Sequence, residues 1–147
     1  ARFEGHAANH LTPSIGDRMP ASLCAVGKAM LAKLDTEDVD LLYASFTELP
    51  VLTEFSLRTV TELKQELIDI RPQGFALENP ERALGVVCMG IAVPSRGING
   101  PKLGVSVSSV TVTCYEKLKQ SLLSELDTLA ALLGNPLHTR IDIQKDS

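Results

Sequence analysis

Aromatic residues and positive charge are both scarce in this sequence of 147 residues. Phe, Tyr and Trp together make up 4% of the chain and Trp is absent, which argues against base-stacking platforms and aromatic carbohydrate-binding walls. The net charge is -4 and the isoelectric point is about 5.3. Because binding to nucleic-acid phosphates depends on clustered Lys and Arg, this chain alone is not expected to hold DNA or RNA.

Cysteines and long apolar runs are also few. Cys24, Cys88 and Cys114 are widely spaced and none belongs to a CxxC pair, which is typical of reduced thiols inside a cell. The longest apolar stretches, such as residues 84–94, fall far short of the roughly 20 residues of a membrane span, and no signal segment opens the chain. We therefore expect a cytoplasmic protein without a membrane partner.

The order of the hydrophobic patterns predicts an α+β fold. The end of a strand at residues 1–5 comes first, followed by three helical patterns, three strand patterns and one long helical pattern. Strands at residues 84–93 and 103–108 are separated only by a turn at residues 96–101, so they are expected to pair antiparallel, with the first in the middle of the sheet. No linker or repeat divides residues 1–147, which predicts a single domain. The abrupt opening at Ala1 predicts a chain cut from a longer protein at its N-terminus.

Each predicted helix has an apolar stripe and recognisable ends. The stripes are predicted at Leu23, Val26, Met30 and Leu34, at Val39, Leu42 and Phe46, at Val60, Leu63, Leu67 and Ile70, and at Leu118, Leu122, Leu126, Leu129 and Leu133. Capping boxes predict that the third and last helices begin at Thr59 and Thr113. Pro72 and Gly74 are expected to end the third helix. The first helix is rich in small residues, so we expect its first turn to lie buried.

The strand at residues 103–108 carries the most informative local pattern. Gly104, Ser106 and Ser108 fall on one face, where hydroxyls one pleat repeat apart, roughly 7 Å, can both reach one small polar ligand. The alternative is a mildly polar exposed face, or serines bonded to the backbone. The pattern alone does not decide between these interpretations.

Three further features are candidates for a ligand site. Cys88 lies within the predicted central strand, although a lone buried cysteine is usually a small hydrophobe. Glu78 lies at a strand edge, where a solvated acid is the simpler interpretation. The first helix begins with the amides of Cys24, Ala25 and Val26, and such amides favour an anion.

Motifs for metal binding and catalysis are weak. Gly27 and Lys28 lack the upstream glycine and the following Ser or Thr of a phosphate-binding loop. His6 and His10 are spaced like metal ligands, but no HExxH or CxxC pattern accompanies them. The sequence around Ser106 lacks the second glycine of a nucleophile elbow. No metal, cofactor or catalytic residue is therefore predicted.

Taken together, several segments resemble the effector-binding region of IclR-type bacterial transcription regulators. The segments lie in the family's order over nearly the whole chain, at residues 16–20, 25–32, 63–67, 70–71, 74–76, 81–85, 88–94 and 105–108. The resemblance implies a GAF-like domain, in which a curved antiparallel sheet is flanked by helices and a small metabolite lies between sheet and helix. It implies no catalysis. It also implies that DNA is bound only through a winged helix-turn-helix that this chain lacks.

The resemblance also implies a set of ligand contacts. Main-chain amides would come from Ala25 and Val26, and the side chains from the sheet would be Glu78, Cys88, Ser106 and Ser108. Glu78 stands where the family commonly has aspartate, and the longer side chain affects the depth of the pocket.

Three hypotheses of different classes follow from the sequence. The first is a sensor for a small organic acid, acting in a homodimer or tetramer and controlling an attached DNA-binding domain. The second is an oligomerisation module with no functional ligand. The third is a thiol or serine enzyme that uses Cys88 or Ser106, for which the sequence offers no oriented base.

Overall fold

The structure is a computed structural model that describes residues 14–93, 103–109 and 123–133. Its elements are a 3-10 helix (Ala21–Leu23), α1 (Ala25–Leu31), α2 (Thr36–Tyr43), α3 (Val60–Gln73), β1 (Ala76–Glu78), β2 (Val87–Ala92), β3 (Gly104–Ser109) and the helical residues 123–133. The predicted α+β class is confirmed, and so is the order of helices and strands within the described residues. The strand predicted at residues 1–5 lies outside them. The predicted turn at residues 96–101 and the capping box at Thr113 lie outside the described residues, so both stay predictions.

The described strands form an antiparallel sheet in the order β1-β2-β3. β2 is central, as its apolar residues on both parities predict. It begins later than predicted, because Gly85 adopts a left-handed conformation with φ 79° and the chain turns there before pairing starts. Leu84, which precedes this turn, is 65% exposed.

Each face of the sheet is covered by a helical layer. On one face the buried residues include Ala25 and Ala29 of α1, Leu63 of α3, and Cys88 of β2. On the other face, the side chains of β2 pack with Leu126 and other residues of the helical segment. β2 is therefore buried on both sides, which explains why its sequence does not alternate between apolar and polar residues.

α3 shows how local sequence signals set the ends of a helix. The Thr59 hydroxyl accepts a hydrogen bond from the Glu62 amide at 3.1 Å, and the Glu62 carboxylate accepts one from the Thr59 amide at 3.0 Å, which confirms the capping box. The helix ends at Gly74, which has φ 81°. Pro72 was expected to help end the helix, but it lies inside the last turn. Proline at this position removes the hydrogen bond that an N–H would donate to the carbonyl of Ile68, but it does not end the helix before Gly74.

The first predicted helix is in fact two segments. Cys24 is extended, with φ -143° and ψ 142°, and separates the 3-10 helix from α1. The residues of α1 that lie buried are Ala25, Gly27, Lys28, Ala29 and Leu31. The predicted stripe through Val26 and Met30 is therefore wrong, because the break changes the face that α1 turns to the core. Both of these residues are half-buried and lie near β3.

Two other predicted stripes are only partly correct. In α2, Val39 is buried, but Leu42 is 55% exposed and Phe46 is 48% exposed. α2 ends at Tyr43, so Phe46 lies beyond the helix on which its spacing was counted. In the helical residues 123–133, Leu126 is buried with Ala130, four residues on, whereas the predicted Leu129 and Leu133 are exposed. None of the described helices is long and apolar enough to cross a bilayer.

Candidate functional site

The strand register aligns three of the predicted site residues in one row. Glu78 of β1 lies opposite Cys88 of β2, and Cys88 lies opposite Ser108 of β3. Directly opposed residues on neighbouring strands project from the same face. The Cys88 Sγ atom is 3.0 Å from the Ser108 Oγ atom, which is within hydrogen-bonding distance. Residues separated by up to 30 positions in the chain thus form one continuous polar row.

Ser106 lies on the same face in the next row. It pairs with Gly90, which in turn pairs with Ala76, so the row consists of small residues. Ser106 and Ser108 are both exposed. The serine side of the row is therefore open to solvent among the described residues, and the structure brings these hydroxyls to the site without enclosing them.

α1 begins directly on this face of the sheet. A Cβ atom added to Gly90 would lie 2.5 Å from the Val26 backbone nitrogen and 2.7 Å from the Ala25 carbonyl carbon. Only glycine allows two backbones to approach so closely. The predicted amide donors of Ala25 and Val26 consequently lie at the sheet surface, beside the row that contains Cys88.

The start of α1 has the donors that helix ends usually leave unpaired. The first amides of a helix have no partner inside it, and Cys24 at the N-cap makes no side-chain capping bond. Among the described residues, neither Ala25 nor Val26 donates a backbone hydrogen bond outside the helix. Two amides and the Cys88 and Ser108 side chains are thus gathered at one place, where they can donate to an anionic group.

The Cys88 thiol stays protonated at neutral pH. Burial raises its pKa to about 12, the hydrogen bond with Ser108 opposes this shift, and the negative charge of Glu78 adds to it. Burial likewise raises the pKa of the Cys24 thiol. Neutral thiols are poor nucleophiles but can donate weak hydrogen bonds, so the site favours binding over covalent chemistry.

Glu78 lies at the buried end of the row. Its side chain is 1% exposed, and its Oε1 atom is 3.7 Å from Nε of Arg82 in the loop after β1. The distance allows an ion pair but is too long for a hydrogen bond. The solvated acid considered from the sequence is thus wrong for the described structure, because Glu78 is buried and has a cation beside it.

Sequence reasoning missed two basic residues near the site. Arg82 lies in a loop without periodic pattern, although its i,i+4 spacing from Glu78 is a weak signal. Lys28 was considered only for a phosphate-binding loop, whose motif is incomplete. It is fully buried in α1 and contacts two carboxylates. Its Nζ atom is 2.6 Å from Glu66 Oε1 and 2.7 Å from Glu81 Oε1. Lysine is almost never fully buried without such partners.

Metal ligands are not grouped in the described part of the chain. No cluster of three or more His, Cys, Asp or Glu residues that could hold a metal ion occurs there. His6 and His10 lie outside the described residues, so their spacing is not tested.

Comparisons with known proteins identify one family. The model of the C-terminal region of the bacterial transcriptional regulator IclR matches residues 1–133. The transcriptional regulator XynR of Escherichia coli, named as helix-turn-helix type, is 28% identical over 92% of this chain and 54% of its own length. The E. coli repressor YiaJ is 32% identical over 84% of this chain and 44% of its own length.

Solved structures agree with the sequence relatives. The crystal structure of the repressor BlcR of Agobacterium tumefaciens superposes with a TM-score of 0.74 and 27% identity, over 86% of this chain and 51% of that one. The predicted architecture, a curved sheet with flanking helices, is therefore the one that this chain shares with the solved regulator structures. The chain spans about half the length of these relatives.

Proposed function

Because this chain belongs to the IclR family of bacterial transcriptional regulators, we propose that it is the part of such a regulator that senses a small organic acid. The observation that carries the proposal is the row of Glu78, Cys88 and Ser108 lying beside the start of α1. An anionic ligand placed there meets several neutral donors at once. The relatives are named as regulators and repressors rather than enzymes, and we propose no reaction for this chain.

The proposed ligand is held without direct pairing to a cation. Its carboxylate would accept hydrogen bonds from the amides of Ala25 and Val26 and from the hydroxyls of Ser106 and Ser108. Charge-assisted bonds of this kind contribute about 1.5 to 3 kcal/mol each when shielded from water, and less at the exposed Ser106 and Ser108. Cys88 would form the apolar base of the site, and its thiol would donate to the Ser108 oxygen so that the Ser108 hydroxyl can donate to the ligand.

Regulation requires two arrangements of the whole protein that bind the ligand unequally. We propose that a homodimer or tetramer in the cytoplasm supplies these arrangements, and that occupancy changes DNA binding by an attached winged helix-turn-helix. In this proposal the acidic domain itself makes no contact with DNA, since its net charge is -4. Neither membrane nor cofactor takes part.

Thermal unfolding in the presence of aliphatic and aromatic acids tests the proposal. A ligand at about a hundred times its dissociation constant adds near 2.7 kcal/mol of stability, which raises the midpoint by several degrees. Ser106→Ala and Ser108→Ala should each weaken binding by about 1 to 2 kcal/mol, measured by calorimetry. Ser45→Ala is the control, because Ser45 is exposed in the turn after α2.

The exposure of Ser106 and Ser108 favours the alternative of an oligomerisation module without a functional ligand. The same experiment separates the two functions. If the folded chain assembles but no acid moves its unfolding midpoint, the oligomerisation module is the better account. If acids bind but both serine variants keep wild-type affinity, the serines do not belong to the site.

A further inference from the structure

The Glu78 carboxylate retains unused acceptor capacity in a buried position. The side chain is 1% exposed, and its Oε1 atom has no hydrogen-bond partner among the described residues. An ionised carboxylate can accept about four hydrogen bonds, and leaving a buried acceptor unsatisfied is costly. A ligand group that donates a hydrogen bond would satisfy this atom.

The titratable groups that interact with Glu78 lie at the N-cap of α1, in β2 and in the loop after β1. They are Cys24, Cys88, Glu81 and Arg82. Burial raises the pKa of both cysteine thiols, so they stay neutral at physiological pH, and Glu81 cannot stabilise a second anion. Arg82 is therefore the group in this set that offsets the charge of Glu78.

The other buried cation does not serve this purpose. Lys28 contacts Glu66 and Glu81, with nitrogen-to-oxygen distances of 2.6 and 2.7 Å. The Arg82 side chain is 9% exposed, so its charge is little screened by solvent where it faces Glu78. The Glu78 and Arg82 charges cancel at close range, which lets an anionic ligand approach without meeting a net negative charge.

We infer that Arg82 is a positioning residue that holds the Glu78 side chain where its Oε1 atom can accept a hydroxyl hydrogen bond from the effector, so that the site selects hydroxylated carboxylic acids. The inference rests on the proposed function and adds the chemical class of the ligand. One end of the ligand is a carboxylate held by neutral donors, and the other end bears a hydroxyl that donates to Glu78. A site built to bond a hydroxyl rejects the analogue without it, because its own polar group is then left unpaired.

Matched acids that differ only in hydroxyl groups provide the test. We would measure dissociation constants by calorimetry for propionate, lactate and glycerate, and for hexanoate and gluconate. In each size series that binds, the hydroxylated acid should bind at least tenfold more tightly than its unsubstituted counterpart. The double variant Glu78→Leu, Arg82→Leu removes both charges together and should bind the two kinds of acid with equal affinity.

A second measurement separates positioning by Arg82 from a merely structural role. In Arg82→Gln, Glu78 loses the cation that lies 3.7 Å from its Oε1 atom, so its side chain is no longer held in place. Affinity for the best hydroxylated acid should fall at least tenfold, whereas affinity for the unsubstituted counterpart should change little. Arg82→Lys should restore most of the affinity for the hydroxylated acid.

The outcomes distinguish this inference from the proposed function. If none of the acids binds, the sensing function fails and the inference fails with it. If acids bind but hydroxyl groups make no difference in the wild type, only the inference is overturned. Preference that survives in the double leucine variant, or an Arg82→Gln defect that is the same for hydroxylated and unsubstituted acids, also overturns it.

Discussion

Replacing Lys28 by methionine tests whether the buried cation holds α1 in place. Lys28 is fully buried between Glu66 of α3 and Glu81 of the loop before β2, with both oxygens within 2.7 Å of its Nζ atom. Methionine keeps the length and apolar stem of the side chain but removes the charge. Removing one partner of a buried ion pair costs about 3 to 5 kcal/mol, because the other charge is left without compensation. We expect a loss of that size at pH 8.

The loss should depend on pH, and Glu81 sets the direction. Burial raises the pKa of its carboxyl to about 7 from an ordinary value of 4.5, against the opposing effect of Lys28. The folded protein therefore takes up this proton at higher pH than the unfolded chain, so stability falls as pH rises from about 4.5 to about 7. At pH 6 Glu81 is largely protonated, and Lys28→Met should cost only roughly 1 to 2 kcal/mol, from the contact with Glu66.

Urea denaturation at pH 6 and pH 8, followed by circular dichroism, measures both values. Lys64→Met is the control, since Lys64 forms an ion pair with Asp40 at 2.5 Å in which the two side chains are 36% and 51% exposed. That variant should lose at most about 1 kcal/mol at either pH. If Lys28→Met lost less than about 1 kcal/mol at pH 8, or the same amount at both pH values, the reasoning from buried charge would be refuted.

Two further predictions concern the ends and contacts of the helices. Thr59→Ala removes a helix cap and should lower the free energy of unfolding by about 1 kcal/mol in the same assay, whereas the exposed Thr61→Ala should change it little; equal effects would count against the cap. Gly90→Ala should destabilise by about 1 to 3 kcal/mol, since the new methyl meets backbone, and Gly104→Ala by less, since its nearest contact is the Val26 side chain. Adding Val26→Ala should restore stability to the Gly104 variant but not to the Gly90 variant. If it restored the stability of both, this distinction would be contradicted.

Local signals in the sequence predicted several elements correctly. The capping box at Thr59 involves residues only three apart, so no tertiary information is needed to see it. The unbroken apolar run of β2 indicates a strand covered on both faces, whatever covers it. The sequence did not show which side chains of α2 and of the helical residues 123–133 are exposed. The buried face of a short helix depends on where the element that packs against it lies.

Contacts between residues distant in sequence explain the structural features that the sequence did not predict. Lys28 is buried because of acids 38 and 53 residues away, which no local pattern reveals. Local patterns marked Glu78, Cys88 and Ser108 only as separate candidates, and the family resemblance joined them into one set. Their alignment in one row depends on strand register. Arg82 was not predicted: the resemblance includes residues 81–85 but assigns Arg82 no contact, and no periodicity marks its loop. That these residues bind a ligand stays a prediction.

The close approach of α1 to Gly90 limits how this site can diversify. At that contact the base of the site consists of main-chain atoms, and main chain cannot be exchanged by point mutation. In the proposed site, changes in ligand preference would come from the surrounding side chains at positions 78, 82, 106 and 108. An engineer seeking a biosensor for another metabolite would therefore randomise these four positions and leave the glycine contact intact.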